Sequence, residues 1–278
     1  MDYEFFTVEI KDKIASVCMR RPKRFNMLDA DFWRELPSIV RGLDRTGEIR
    51  AIVLSSSGRH FSAGIDLEML ASMGNDSAPG AEAGGRPSVR RRVLQLQQVF
   101  NTLENARMPV IAAIHGGCIG GALDMVSACD IRYATSDAFF CIGEINFGMT
   151  ADLGTLQRLP KLVPQGVVRE LAYTGRQLPA ERAREVGLVN AVYPDREQTL
   201  EAAMETAREI AARAPAAVWG SKEAVSYARD HSVTESLDQM ATWQAGMFRP
   251  EDVQEALLAR RKRRPPQYDD LPPLPDEE

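Results

Sequence analysis

The chain has 278 residues, 44% hydrophobic and 26% charged, enough apolar material for one sizeable core with a smaller helical appendage. Its net charge of -5 argues against general nucleic-acid affinity, and no apolar run reaches the length needed to span a bilayer. The four cysteines, at 18, 118, 129 and 141, sit in apolar runs without CxxC or Cys/His ligand spacing, and there are three histidines, so buried thiols are expected rather than disulfides, a metal site or a Ser-His-Asp triad.

In chain order, MDYEFFTVEIKDKIASVCMRR alternates apolar and polar residues around KDK. That predicts a β-hairpin and not a signal or transit peptide, so the cytoplasm is the expected compartment. DADFWRELPSIVRGLDR follows as an amphipathic helix that Asp29 or Asp31 can cap, and RAIVLSSS as a continuous apolar strand. Strand, helix and strand in that order give a βαβ rhythm. HFSAGIDLEML then ends the strand in a small-residue turn, Ser62 to Gly64, and enters a helix with Asp66 near its start. Residues Gly74 to Arg86 are poor in large apolar groups and predict a mobile loop. The next run predicts a helix with Val93, Leu96, Val99, Phe100 and Leu103 on its apolar face and Arg90, Arg91 and Arg92 solvated.

Met108 to Leu159 is the most informative stretch. Pro109 to Ile114 reads as a buried strand, glycines follow at 116, 117, 120 and 121, and Gly121 to Ala128 is an apolar helical segment. A helix beginning there leaves backbone N–H groups open, a ready site for an anion or oxyanion. Three carboxylates follow: Asp124 inside the apolar turn, Glu144 after the strand-like AFFC, and Asp152 before LGTLQRL. Asp124 has only apolar neighbours and is costly to bury without a partner or a task. Plainer readings exist for each: an N-cap for Asp152, a solvated loop acid for Glu144, and a buried ion pair with an arginine such as Arg132 for Asp124. His115, beside the glycines, reads as structural.

After this stretch the chain predicts amphipathic helices with one short strand, LVNAVYP, and a last helix ending in basic residues. The acidic, proline-rich residues 265–278 predict disorder.

HGGCIGGALDMVSACDIRYA, with FSAGIDLEML upstream, resembles the crotonase superfamily of acyl-CoA hydratases and isomerases, and GGALD, CIGEINFG and ADLGTLQRLP together are most similar to its dienoyl-CoA isomerases. The similarity runs from about Phe6 to Arg264. It implies an α/β crotonase fold: repeated ββα units forming a spiral core over residues 1–200, then a helical trimerisation region over 201–264. It implies an acyl-CoA thioester substrate, a homotrimer or homohexamer, and no metal or other cofactor. By the same resemblance the amides of Ala63 and Gly121 hold the thioester oxygen, and Asp124, Glu144 and Asp152 move protons from a 3,5-diene to a 2,4-diene. Arg24, Ser62, Ile65, Asp66, Leu67, Gly117 and Arg260 are the expected contacts with CoA and the acyl chain. An enoyl-CoA hydratase using Asp124 and Glu144 to activate water is the alternative, and a non-catalytic acyl-CoA or RNA-binding module is a third.

Overall fold

A computed structural model describes residues 3–66, 68–69 and 85–275. The chain opens with β1 (Phe6–Lys11) and β2 (Ile14–Met19), an antiparallel hairpin whose turn residues Asp12 and Lys13 both take positive φ. Helix α1 (Ala30–Thr46) is capped by Asp29, whose side chain accepts from the amides of Asp31 and Phe32, and it stops at Gly47 with φ 73°. Next come β3 (Ala51–Ser56), α2 (Gly85–Asn105), β4 (Val110–Ile114), β5 (Gly117–Ile119), α3 (Gly121–Ser127), β6 (Ile131–Thr135) and β7 (Phe139–Cys141).

A 3-10 turn over Gly143–Phe147 leads to α4 (Thr155–Leu162), α5 (Gln165–Thr174), β8 (Leu178–Pro179), α6 (Ala180–Glu185), β9 (Ala191–Tyr193) and α7 (Arg196–Ala211). The chain ends in α8 (Pro215–Ala228), α9 (Val233–Met247) and α10 (Pro250–Lys262).

The large sheet has the order β1-β2-β3-β4-β6-β9, parallel from β2 onward. Strands β3 and β4 are buried at every position, in keeping with the continuous apolar runs at 51–54 and Val110–Ile114. Alternate residues serve opposite faces. Ala15, Val17, Ile52, Leu54, Val110 and Ala112 join the main core with Phe32, Leu36 and Phe100 of α1 and α2, whereas Ile14, Val53, Ile111 and Ala113 pack on Ala203 and Ala207 of α7.

The small sheet has the order β5-β7-β8, and two isolated parallel bridges, Ser62 to Cys118 and Leu28 to Ile65, extend its pattern. Successive chain passes leave a long strand, lay a short one in this second sheet and enter a helix, as β4, β5 and α3 do in 18 residues. This is the expected spiral of ββα units.

Two boundaries differ from expectation. Helix α7 belongs to the core because its alanines cover the large sheet, so the appended helical region begins at α8 rather than at residue 201. Nor is the segment after α10 disordered up to residue 275. Arg50, buried at the start of β3, donates to the carbonyls of Tyr268 and Asp269 and to the Asp270 carboxylate, while Arg107 donates to Pro272 O and Leu271 N donates to Gly47 O. Leu271 is itself buried. Residues 276–278, and all of the expected mobile loop except Gly85 and Arg86, lie outside the described residues.

Deleting residues 265–278 strips Arg50 of its acceptors, and a buried guanidinium without them should cost about 3 kcal/mol of stability. Thermal melting would show this, and a truncated chain that melts with the full-length protein would contradict the docking.

Candidate active site

The first small-residue turn is held by a buried polar knot. Asn26, left-handed at φ 49°, donates to the carbonyls of Ser57, His60 and Phe61, and Ser62 Oγ donates to Asn26 O at 2.7 Å while accepting from Gly64 N at 3.1 Å. Leu28 N donates to Gly64 O, and Asp66 N to Leu28 O. The Ala63 amide donates to Phe25 O at 3.0 Å. It is spent inside the protein, which corrects the expectation that Ala63 supplies a donor to the thioester. The open amide of this turn is that of Ile65, which meets no acceptor among the described residues.

The second turn presses directly on the first. Gly64 has φ 89°, and a Cβ there would lie 2.6 Å from Ile119 O and 3.5 Å from Gly121 N. A Cβ on Gly121 would lie 3.0 Å from Ile65 Cγ1, so both positions need glycine for close approach. Gly120 N donates to Cys141 O, and Gly120 O accepts from Leu123 and Asp124 as α3 begins. The amide of Gly121, the first residue of α3, has no acceptor among the described residues, as the start of a helix dictates. The structure therefore sets two unspent amides, Ile65 and Gly121, on residues so close that a Cβ on Gly121 would crowd the Ile65 side chain.

Two of the three acids, Asp124 and Glu144, adjoin the second turn. Every residue of α3 is buried, and Asp124 is 1% exposed. Its Oδ1 accepts from Thr155 N at 2.6 Å, and its Oδ2 has no partner among the described residues. Arg132 does not neutralise it, because that guanidinium donates to the carbonyls of Leu188, Val126 and Cys129. Burial pushes the Asp124 carboxyl up to about 6; contacts with Thr155 oppose the rise, and the nearby Asp152 charge adds to it.

Glu144 stands on the 3-10 turn with its carboxylate against Gly120, whose Cβ would come within 3.1 Å of Oε1. It is pushed up to about 7 by burial first and then by Asp124 and Asp152. Burial also raises Asp152, whose main-chain carbonyl accepts from Gln97 Nε2 at 2.6 Å. Asp152 is no helix cap, since α4 starts at Thr155 with Gly154 in the cap position. The charge of Asp152 thus bears on both Asp124 and Glu144, and that of Asp124 on Glu144; a carboxylate titrating near neutrality is suited to general-base work.

The other expected contacts divide. Arg24, 46% exposed at its side chain, pairs with Asp66 at 2.6 Å, and Asp66 also accepts from Glu68 N, so these two brace the turn's exit. Ile65 lies against Gly121. Ser62 and Gly117 are used structurally: Gly117 N donates to His60 Nδ1, Gly117 O accepts from Ser62 N, and the Ser62 hydroxyl serves Asn26 and Gly64. The polar groups of both are therefore already paired within the protein. Arg260 is exposed on α10, and no described contact joins it to the turns or the acids. Leu67 lies outside the described residues. His115 hydrogen-bonds Gly58 O, as a structural residue would. Asn26 and Thr155 were not foreseen; asparagine's tolerance of positive φ is the one signal that marks position 26.

Both Asp124 and Glu144 bind a proton more tightly folded than unfolded, from ordinary values of 3.8 and 4.5. Their contribution to stability is therefore full below about pH 4 and is lost as pH rises through 6 and 7. Asp124→Asn and Glu144→Gln should melt above the wild type at pH 8, with the gap closing toward pH 4.5; melts that differ equally at both pH values would contradict the burial of these charges.

Residues 9–271 match the family model for enoyl-CoA hydratase/isomerase. The chain is 42% identical over 270 residues to the mitochondrial Delta(3,5)-Delta(2,4)-dienoyl-CoA isomerase of Mus musculus, covering 95% of this chain and 81% of that one. It is 39% identical to the peroxisomal protein of the same activity name from Arabidopsis thaliana, covering 92% of each. Among solved structures, an enoyl-CoA hydratase from Bacillus anthracis superposes with a TM-score of 0.85 at 30% identity, over 95% of this chain and 99% of that one. Those relatives' names give compartments other than the cytoplasm expected from sequence, and among the described residues no helix is long and apolar enough to cross a membrane. Together with the two glycine turns and the three grouped acids, these matches establish that the chain belongs to the enoyl-CoA hydratase/isomerase family.

Proposed function

We propose that this enzyme moves the double bonds of a 3,5-dienoyl-CoA to give the 2,4-dienoyl-CoA. The observation that carries the reading is the grouping of Glu144 and Asp152, two separate acids both raised by burial, with the buried Asp124 coupled to each. Moving a proton between carbons as distant as C2 and C6 calls for two acid/base groups, one at each end of the diene.

The thioester oxygen rests on the amides of Ile65 and Gly121. Glu144 takes a proton from C2, and the resulting charge spreads along the dienolate and onto that oxygen, where each fixed donor is worth roughly 3 kcal/mol of barrier. Asp152 then delivers a proton to C6, leaving Glu144 protonated and Asp152 ionised until the pair resets. Burial first and then the charge of Asp124 raise the proton affinity of Glu144. Carboxyls and amides suffice for each step, so the reading needs no metal or redox group. Exposed apolar residues on the terminal helices, including Val225, Val233, Leu237 and Leu257, fit a homotrimer or a hexamer of two trimers.

Hydration of a 2-enoyl-CoA is the second reading. What favours it is that Asp124 Oδ2 and Glu144 Oε2 are both buried and have no partner among the described residues, as two groups that share a water would be.

Conversion of a 3,5-dienoyl-CoA should create the absorbance of a conjugated 2,4-dienoyl thioester, at a rate that rises with pH through about 7 as Glu144 ionises. Asp152→Asn should lower that rate on the order of a hundredfold or more while largely sparing any hydration. Equal loss of both activities would contradict the assigned roles, and no absorbance change at high enzyme concentration would favour a binding module.

A further inference from the structure

Thr155 opens α4, and two of its groups bear on Asp124. Its amide donates to Oδ1 at 2.6 Å. Its hydroxyl favours the charged form of that carboxyl, yet neither Thr155 Oγ1 nor Asp124 Oδ2 closes a hydrogen bond among the described residues. Both residues are 1% exposed. Two open polar atoms at this depth are uncommon, because each has lost water without gaining a bond. The hydroxyl is not engaged in capping, since the cap position of α4 is Gly154, at φ 134°.

We propose that Thr155 is a positioning residue that acts through Asp124: its amide fixes the orientation of the carboxyl, and its hydroxyl is the donor that Oδ2 takes when the carboxyl is ionised. This rests on the proton-transfer role given above to Glu144. Among the described residues, the other charged or titratable groups that interact with Asp124 are Cys118 on β5, Glu144 on the 3-10 turn, Asp152 before α4 and Arg158 in the first turn of α4. None of them hydrogen-bonds Oδ2. An ionised Asp124 adds to the burial that disfavours charge on Glu144, so the Thr155 hydroxyl moves, at one remove, the pH at which Glu144 becomes a base.

Substrate-free enzyme carrying carbon-13 at its Asp and Glu carboxyls reads both groups by NMR titration. Thr155→Val keeps the shape and loses the hydroxyl; it should raise the Asp124 midpoint by about one pH unit and lower that of Glu144. Thr155→Ser should leave both where the wild type has them, and the rising limb of isomerisation should move to lower pH in Thr155→Val alone. In an Asp124→Asn background, Thr155→Val should shift the limb no further. Should Thr155→Val fail to fold, Thr155→Ala carries the same expectations. Unchanged midpoints in a folded hydroxyl-less variant, or a limb shift that persists without Asp124, would overturn the proposal. If the wild type does not isomerise at all, the proposed reaction fails while the titration still decides the role of Thr155.

Discussion

A carboxyl group enclosed in an apolar helix, with no ion pair among the described residues, is the constraint to which the rest of the site answers. Asp124 is buried on all sides in α3, takes one amide from Thr155 and is joined in no ion pair among the described residues. Burial of that kind disfavours charge, and the same penalty reaches Glu144 and Asp152. The charge of Asp152 then makes ionisation of Asp124 and Glu144 harder, and that of Asp124 does the same to Glu144. The result is a graded set of proton affinities, with Glu144 near neutrality, built from residues that would be ordinary carboxylates in water.

The backbone brings this cluster to a point where two amides are open. That requires the chain to cross itself tightly, and the small sheet performs the crossing: Ser62 pairs with Cys118, Leu28 with Ile65, and the glycines at 64 and 121 let the two turns meet without side chains between them. Each turn is then fixed from outside, by Asn26 on one side and by Cys141 O on the other. Rigid donors of this type need no reorganisation as negative charge develops, which is what makes them effective.

Much of this was legible in the sequence because it is local or periodic. The hairpin, the Asp29 cap, the buried strands and the apolar helix holding Asp124 all follow from spacing and residue type. What escaped depends on long-range pairing. Whether Ala63 or Ile65 has the open amide is decided by Phe25 O, 38 residues earlier, and local pattern says nothing of it. The destination of Arg132 turns on Leu188 O, and the order of the acidic tail turns on Arg50 and Arg107, far away in sequence. Composition alone makes that tail read as disordered, yet its carbonyls are the acceptors that two arginines need. Thr155 escaped because a threonine at a helix start has an ordinary explanation until the open hydroxyl is seen.

The central claim is that Glu144 acts as a base on C2 of a thioester held by the two turns. A saturated acyl-CoA has the C2 hydrogens and no diene, so it isolates that step. In deuterated water the enzyme should exchange those hydrogens, faster as pH rises through about 7, with exchange lost in Glu144→Gln and kept in Asp152→Asn. Exchange that survives the loss of Glu144, or that disappears equally with Asp152, would contradict the account.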